Sequence, residues 1–282
     1  MKRFLEDYGF TIVAAIVVIS LIMIVTPIGS TIQKQTGDLV HSFAVVADDD
    51  FNKIDDSTLL IDLKNFNKSG VEGDFSRKGN LVTINNIQYR VLAVNGTQVK
   101  VMSMVNVDNS KFNDSSKTTS FGDKNGQKYA DSKLDQAMTN YYNGLPEAIK
   151  TAIVEQNINQ TMYSFSWSVP TGSVATSIVS NNDDYIVEKE SEVNVGNRKV
   201  YALDMDDILN YLGSNFTWQQ LNKMIFDTEN TVPRDVWLRS AGSSYSNYAF
   251  YVNGYGGRLN YGYYSISGEV RPAFVLDLSL LS

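Results

Sequence analysis

Seven tyrosines fall between Ser243 and Ser267, a stretch of 25 residues in which 19 are Tyr, Ser, Gly or Asn and Arg258 is the only charge. Tyrosine offers a large rigid ring with a polar tip at small entropic cost, and Ser, Gly and Asn add adaptable hydrogen bonding; together they make contact surfaces of the antibody kind. An ordinary core would hold more Leu, Ile and Val here, and a disordered linker would not hold seven tyrosines. Two readings of these residues stay open: a contact face, or a Tyr-rich ribbon that packs on its own domain. The candidate ligand-binding residues are Ser244, Tyr245, Ser246, Asn247, Tyr248, Phe250, Tyr251, Asn253, Tyr255, Arg258, Asn260, Tyr261, Tyr263, Tyr264 and Ser265. Exposed rings also suit the faces of sugars, so the expected ligand is a protein or a glycan. Gly254-Tyr255-Gly256-Gly257 lacks the strand-then-helix context of a phosphate loop.

Other chemistries are poorly supplied. The chain has no cysteine, hence no disulfide, thiolate metal site or thiol nucleophile. Its one histidine, His41, lies far from the expected globular domain, so a histidine-based triad has no base there. A net charge of −7 argues against nucleic acid, which needs clustered Lys and Arg. Asp204, Asp206 and Asp207 read as the charged start of a helix. Asp123-Lys124-Asn125-Gly126 reads as a turn, and Asp183, Asp184, Glu188, Glu190 and Glu192 as a solvated acidic stretch. Trp167 and Trp218 are expected in the core. No catalytic set, metal site or cofactor is expected, and the chain reads as a binding protein rather than an enzyme.

The elements that must position the tyrosines follow a mixed order. Leu81–Ile84, Tyr89–Val94 and Val99–Met102 alternate as a β-meander, with Asn95-Gly96 as a hairpin turn. Residues 106–128 are polar and read as loop. Asp131 or Ser132 caps a helix carrying Leu134, Ala137, Met138 and Tyr141, and Pro146 starts another toward Ile149 and Ile153. Val200–Leu203 reads as a strand, and Asp204 caps a short helix with Ile208, Leu209 and Leu212 inward, ended by Gly213. Ala273–Leu276 is the last strand. Strands and helices without a βαβ rhythm predict an α+β fold.

No charge occurs from Tyr8 to Gln33, and Phe10 to Val25 is nearly all aliphatic, close to the roughly 20 residues of a membrane-crossing helix. A buried core helix and a cleaved signal are the alternatives; Val45-Val46-Ala47 lies too far beyond the apolar run for ordinary cleavage. Ile28, Ile32, Leu39, Val40, Phe43 and Val46 then continue at helical spacing. With Lys2 and Arg3 leading to Gly9-Phe10-Thr11-Ile12-Val13, this beginning resembles type IV-like and short tight-adherence pilins. The resemblance implies processing between Gly9 and Phe10. It departs at Ala14, where those pilins carry glutamate, and a plain membrane anchor stays open.

Trp237-Leu238-Arg239-Ser240-Ala241-Gly242, the Tyr-rich run and Gly268-Glu269-Val270-Arg271-Pro272-Ala273-Phe274 together resemble the end of a C-type-lectin-like bacterial domain related to formylglycine-generating enzymes. Tyr89–Leu92, Tyr129–Leu134 and Val200–Leu203 occur in the matching order. The missing cysteines exclude that oxidase chemistry. The arrangement is also similar to the variable proteins of diversity-generating retroelements, whose adenine-rich codons yield Tyr, Ser, Asn and related residues. By analogy with the family, Arg239 and Arg271 pair with carboxylates or loop carbonyls. The expected plan is therefore a long N-terminal helix over 1–47, transmembrane or pilin-like in its first half. A spacer over 48–75 with one short strand, near Leu59-Leu60-Ile61, and a C-type-lectin-like head over 76–282 follow, with the Tyr-rich segment at 240–268. The expected function is a surface-displayed adhesin or receptor, on the membrane or in a filament with other pilin subunits. The alternative is a structural pilus subunit.

Overall fold

The computed structural model describes residues 61–166, 176–180, 183–213, 216–230, 232–243, 246–254 and 258–281. Tight turns set the register of a first sheet. β1 (Phe66–Lys68) turns into β2 (Val71–Gly73) through Ser69 and Gly70, at φ 53° and 76°; β3 (Leu81–Ile84) turns into β4 (Ile87–Asn95) through Asn85 and Asn86, at φ 51° and 62°. Two successive positive φ values match the right-handed twist of the flanking strands, and Asn and Gly tolerate them best. β5 (Gln98–Ser103) follows a turn at Gly96 and Thr97, one residue later than the expected Asn95-Gly96, since Asn95 pairs with Gln98; β17 (Ala273–Asp277) and β9 (Ile153–Val154) complete the sheet. The order is β1-β2-β3-β4-β5-β17-β9, antiparallel throughout. Alternation turns Val82, Ile84, Tyr89, Val91, Val99 and Val101 into the core.

The second sheet runs β11 (Thr176–Ser180), β12 (Asp183–Arg198), β10 (Gln156–Ser166), β13 (Asp235–Gly242), β14 (Tyr248–Asn253), β15 (Arg258–Tyr263). β10 and β13 pair in parallel; β16 (Ser267–Val270) pairs in parallel with β13 and antiparallel with β6 (Asp108–Lys111). A separate hairpin, β7 (Thr118–Phe121) with β8 (Lys124–Gln127), packs Phe121 against Met162 and Ala241.

Helices fill the joints. α1 (Lys133–Asn143) starts where Ser132 accepts from the Asp135 amide, and buries Leu134, Ala137 and Met138. α2 (Glu147–Ala152) is short and ends where Ile153 turns extended into β9. α3 (Met205–Leu212) opens with a capping box between Asp204 and Asp207, and α4 (Trp218–Phe226) with one between Thr217 and Gln220. In a capping box two otherwise orphaned amides are satisfied reciprocally. Gly213 ends α3 as predicted.

The sequence expectation of an α+β fold headed by a long helix is corrected. The described residues hold seventeen strands against four α-helices and one 3-10 turn, so the architecture is predominantly β. No helix among them is long and apolar enough to cross a membrane. The helix expected over 1–47, with Gly9 and Phe10, lies outside the described residues, as do His41 and Trp167. β1 and β2 fall within the stretch 48–75 expected as spacer, and Leu60–Ser282 clusters as one unit. The polar stretch 106–128 holds β6, β7 and β8, and the acidic stretch belongs to β12. Val200–Leu203 contributes a single bridge, Tyr201 to Ala273, rather than a strand.

Candidate functional site

The tyrosine run folds as the hairpin β14–β15 at the end of the second sheet. Its register places Tyr248 opposite Tyr263, Phe250 opposite Tyr261 and Val252 opposite Leu259, so these six share one face. Burial falls steadily along that face. Val252, Leu259 and Phe250 are in the core, Tyr248 and Tyr261 are half-buried, and Tyr263 is 49% exposed. The rings support one another: Tyr248 meets Tyr263 at 4.7 Å and Tyr261 at 5.3 Å between centroids, Phe250 meets Tyr261 at 6.1 Å, and Tyr163 meets Phe250 at 6.3 Å. The Tyr248–Tyr263 pair is tilted and the other three meet edge to face, and aromatic pairs of this kind add to the burial of the rings themselves.

The opposite face carries Ala249, Tyr251 and Asn253 across from Gly262, Asn260 and Arg258. The Tyr251 ring lies against Trp237, 5.5 Å between centroids. Gly262 makes room for it, since a Cβ there would sit 2.9 Å from the ring. Gly268 does the same for Trp237, also at 2.9 Å. Burial raises the Tyr251 hydroxyl above its ordinary range, and the charge of Asp235 adds to this. Asp235 is itself raised, by burial and then by Glu269.

Of the residues singled out from sequence, Ser246, Tyr263 and Ser265 are exposed and Asn247, Tyr248, Tyr251, Asn253, Asn260, Tyr261 and Tyr264 partly so. Phe250 is fully buried; it supports the hairpin from within and is not part of its surface. Arg258 opens β15, while Ser244, Tyr245 and Tyr255 lie outside the described residues. The exposed end is a corner where two turns meet: the Tyr264 amide donates to the Asn247 carbonyl at 3.1 Å. Two contributors escaped the sequence reading. Ile266 is 48% exposed next to that corner, and Ser116 donates its hydroxyl to Asn247 Oδ1 at 3.0 Å. Ile266 lies inside the tyrosine run but is not among the candidate residues, and Ser116 lies in a polar stretch with nothing to distinguish it. Among the described residues of 246–254 and 259–267 there is no charged side chain. The corner can therefore recognise a partner by ring contact and neutral hydrogen bonds.

The flanking arginines act as braces. Arg239 donates from Nε to the Asn159 carbonyl at 2.7 Å and from Nη1 to the Ala202 carbonyl at 2.6 Å and Asp207 Oδ2 at 2.8 Å. Arg271 pairs with Glu269 at 2.9 Å and donates to the Ile225 carbonyl. The aspartates of α3 have partners of their own: Asp204 caps the helix and accepts from Thr161, and Asp206 pairs with Lys189 at 2.7 Å and accepts from Tyr163. No group of three or more His, Cys, Asp or Glu that could hold a metal ion occurs among the described residues.

No curated protein and no solved structure matches the chain. A family model matches residues 98–278, from the first residue of β5 to the end of β17 and the residue after it. The span holds both flanking arginines and the whole tyrosine hairpin, and on that match the chain belongs to the family described as Domain of unknown function (DUF6273).

Proposed function

We propose that this chain is a ligand-binding protein displayed at the cell surface, and that the corner formed by Ser246–Tyr248 and Tyr263–Ile266 is its contact face. One observation carries the reading: a cluster of tyrosines ends in a ring that is 49% exposed, on a hairpin face anchored in the core by Phe250, Val252 and Leu259. Aromatic side chains presented on a rigid support are what hot spots are made of, and truncating one costs about 2 kcal/mol or more of binding. A surface location is suggested by the apolar run Phe10–Val25 in the sequence. The ligand class is a macromolecule or a glycan, recognised through ring contact and neutral hydrogen bonds.

The test is a comparison of the full chain and Tyr263→Ala on glycan and protein arrays. Wild-type binding should fall about thirtyfold in the variant. Its melting temperature should stay within a few degrees, because half-exposed surface side chains contribute little to stability. Phe250→Ala should do the reverse first, losing about 3–5 kcal/mol of stability. Array signals that Tyr263→Ala leaves intact would remove the corner from the binding role.

A further inference from the structure

Behind the exposed corner runs a chain of buried amides that ends on both of its turns. The Tyr129 amide donates to Gln160 Oε1 at 2.9 Å, and Gln160 Nε2 donates to the Gln127 carbonyl at 2.7 Å. Gln127 Nε2 in turn donates to the Ser246 carbonyl at 2.8 Å, which fixes the first turn. Asn113 Nδ2 donates to Gln127 Oε1 at 3.0 Å, and the Asn113 backbone amide donates to the Tyr264 carbonyl at 3.0 Å, which fixes the second. Gln127 and Asn113 are fully buried and Gln160 is 1% exposed. The strand that brings Gln127 here, β8, is also paired with β7, carries the Lys124–Glu190 ion pair and packs Gly126 against the small cluster of Phe121, Met162 and Ala241.

We propose that Gln127 is the positioning residue of the tyrosine face, setting the relative height of the Ser246 and Tyr264 turns and hence the arrangement of Tyr248, Tyr263 and Tyr264. The geometry that carries this is the single side chain that donates to one turn and accepts from the residue holding the other. A buried amide satisfied on both sides is specific in a way that apolar contact is not, because any shift of either turn leaves a buried polar group unpaired. The consequence for binding rests on the contact role proposed above, whereas the positioning itself does not.

Gln127→Glu in the full chain separates the two. At pH 8 the carboxylate still accepts from Asn113 but cannot donate to the Ser246 carbonyl. Hydrogen-exchange protection, compared with wild type at each pH, should drop about tenfold in peptides covering Ser246–Tyr248 and Tyr263–Ser265 and stay unchanged in β4 and β5. At pH 4 the neutral acid regains a donor, and protection should return at the two turns; relief of a merely buried charge would act in the same direction but on β4 and β5 as well. Gln127→Met, apolar and of similar length, should lose local protection at both pH values, and decides the matter if the glutamate variant does not fold. Wild-type protection at both turns in these variants would overturn the proposal, and so would a loss spread evenly into β4 and β5. Exchange is read without any ligand, so a failed array screen with altered exchange sinks the binding role alone. Normal exchange with array binding that depends on Tyr263 sinks the positioning role alone.

Discussion

Arg239 shows how much of the stability near the site depends on single buried charges. It lies between Asp207 at 2.8 Å and Asp204 at 3.6 Å, with all three side chains under a tenth exposed. Burial pushes the Asp207 carboxyl up, but the Arg239 and Lys100 charges outweigh it and hold it down to about 2. Burial raises Asp204, with Arg239 opposing. The signs therefore differ. The depressed Asp207 contributes about 2 kcal/mol that is present above its unfolded value of 3.8 and lost as pH falls toward 2. The raised Asp204 contributes stability at acid pH that is lost as pH rises through its folded value. Arg239→Met leaves Asp204 buried without its counter-charge and Asp207 with Lys100 alone, a change that costs about 3–5 kcal/mol at neutral pH. Denaturant midpoints from pH 2 to 7 should show wild type weakening below pH 4 and the variant strengthening there. Parallel profiles would mean that this cluster does not set acid stability. The role was readable in outline: the resemblance implied carboxylate or carbonyl partners for Arg239, and Asp204 at a helix start was visible from its position. What no pattern disclosed was that both aspartates face one guanidinium, because β13 and the start of α3 meet only in the folded chain.

At the level of elements, the hairpin β14–β15 is held by a glycine as much as by its rings. A Cβ on Gly262 would sit 2.9 Å from the Tyr251 ring, so Gly262→Ala must lift that ring from Trp237. Overpacking of this kind costs about 1–3 kcal/mol. The expected result is that loss together with a changed near-ultraviolet dichroism of Trp237; an unchanged spectrum would show that the ring has another resting place. Elements with one clean period were legible: the meander β3–β4–β5, helix α1 and the last strand β17 lie close to where alternation and capping residues placed them. β10 and β12 were not, for reasons visible in their pairing. β10 slips register between Ile158 and Asn159 and again between Met162 and Tyr163, so its apolar residues do not keep a period of two. Its core-facing Gln160 is polar, satisfied by Tyr129 and Gln127 instead of by packing. In β12, Lys189, Glu190 and Glu192 are side chains of a strand that sits near the sheet edge, where charge blunts unwanted pairing. Local composition read this as solvated, which is true of the side chains and silent about the backbone. The contact corner was legible in its tyrosines, whereas the amides that hold it were scattered over residues 113, 127 and 160 with no common motif.

Across the whole described unit, the end of α4 is where the two sheets are tied together. Arg90, on β4 of the first sheet, donates to the Met224 carbonyl at 3.0 Å, to the Gly79 carbonyl at 2.9 Å and to Asp227 at 2.7 Å. Arg271, between β16 of the second sheet and β17 of the first, donates to the neighbouring Ile225 carbonyl and lies over the Phe226 ring at 4.9 Å. Two cations thus satisfy successive carbonyls at the end of one helix, where the peptide dipoles also favour positive charge. Because both share that helix end, their effects should not add. Arg90→Met and Arg271→Met are expected to couple by about 0.5–3 kcal/mol in a double-mutant cycle, whereas independent sites add within about 0.5 kcal/mol. The same geometry bears on the family match. Residues 98–278 include Arg271 but leave out Arg90 and the strands β1 to β4, four of the seven in the first sheet. A fragment of 98–278 would expose the long edge of β5 and lose the buried Val82, Ile84, Tyr89 and Val91, so it should unfold without a cooperative transition and associate through that edge. A chain of 60–282 restores the sheet and the Arg90 contact and should melt cooperatively. If the shorter fragment melted as sharply, and within a few degrees of the longer one, the strands before residue 98 would be an addition to a fold already complete, and the arginine pair would not be the tie between the sheets.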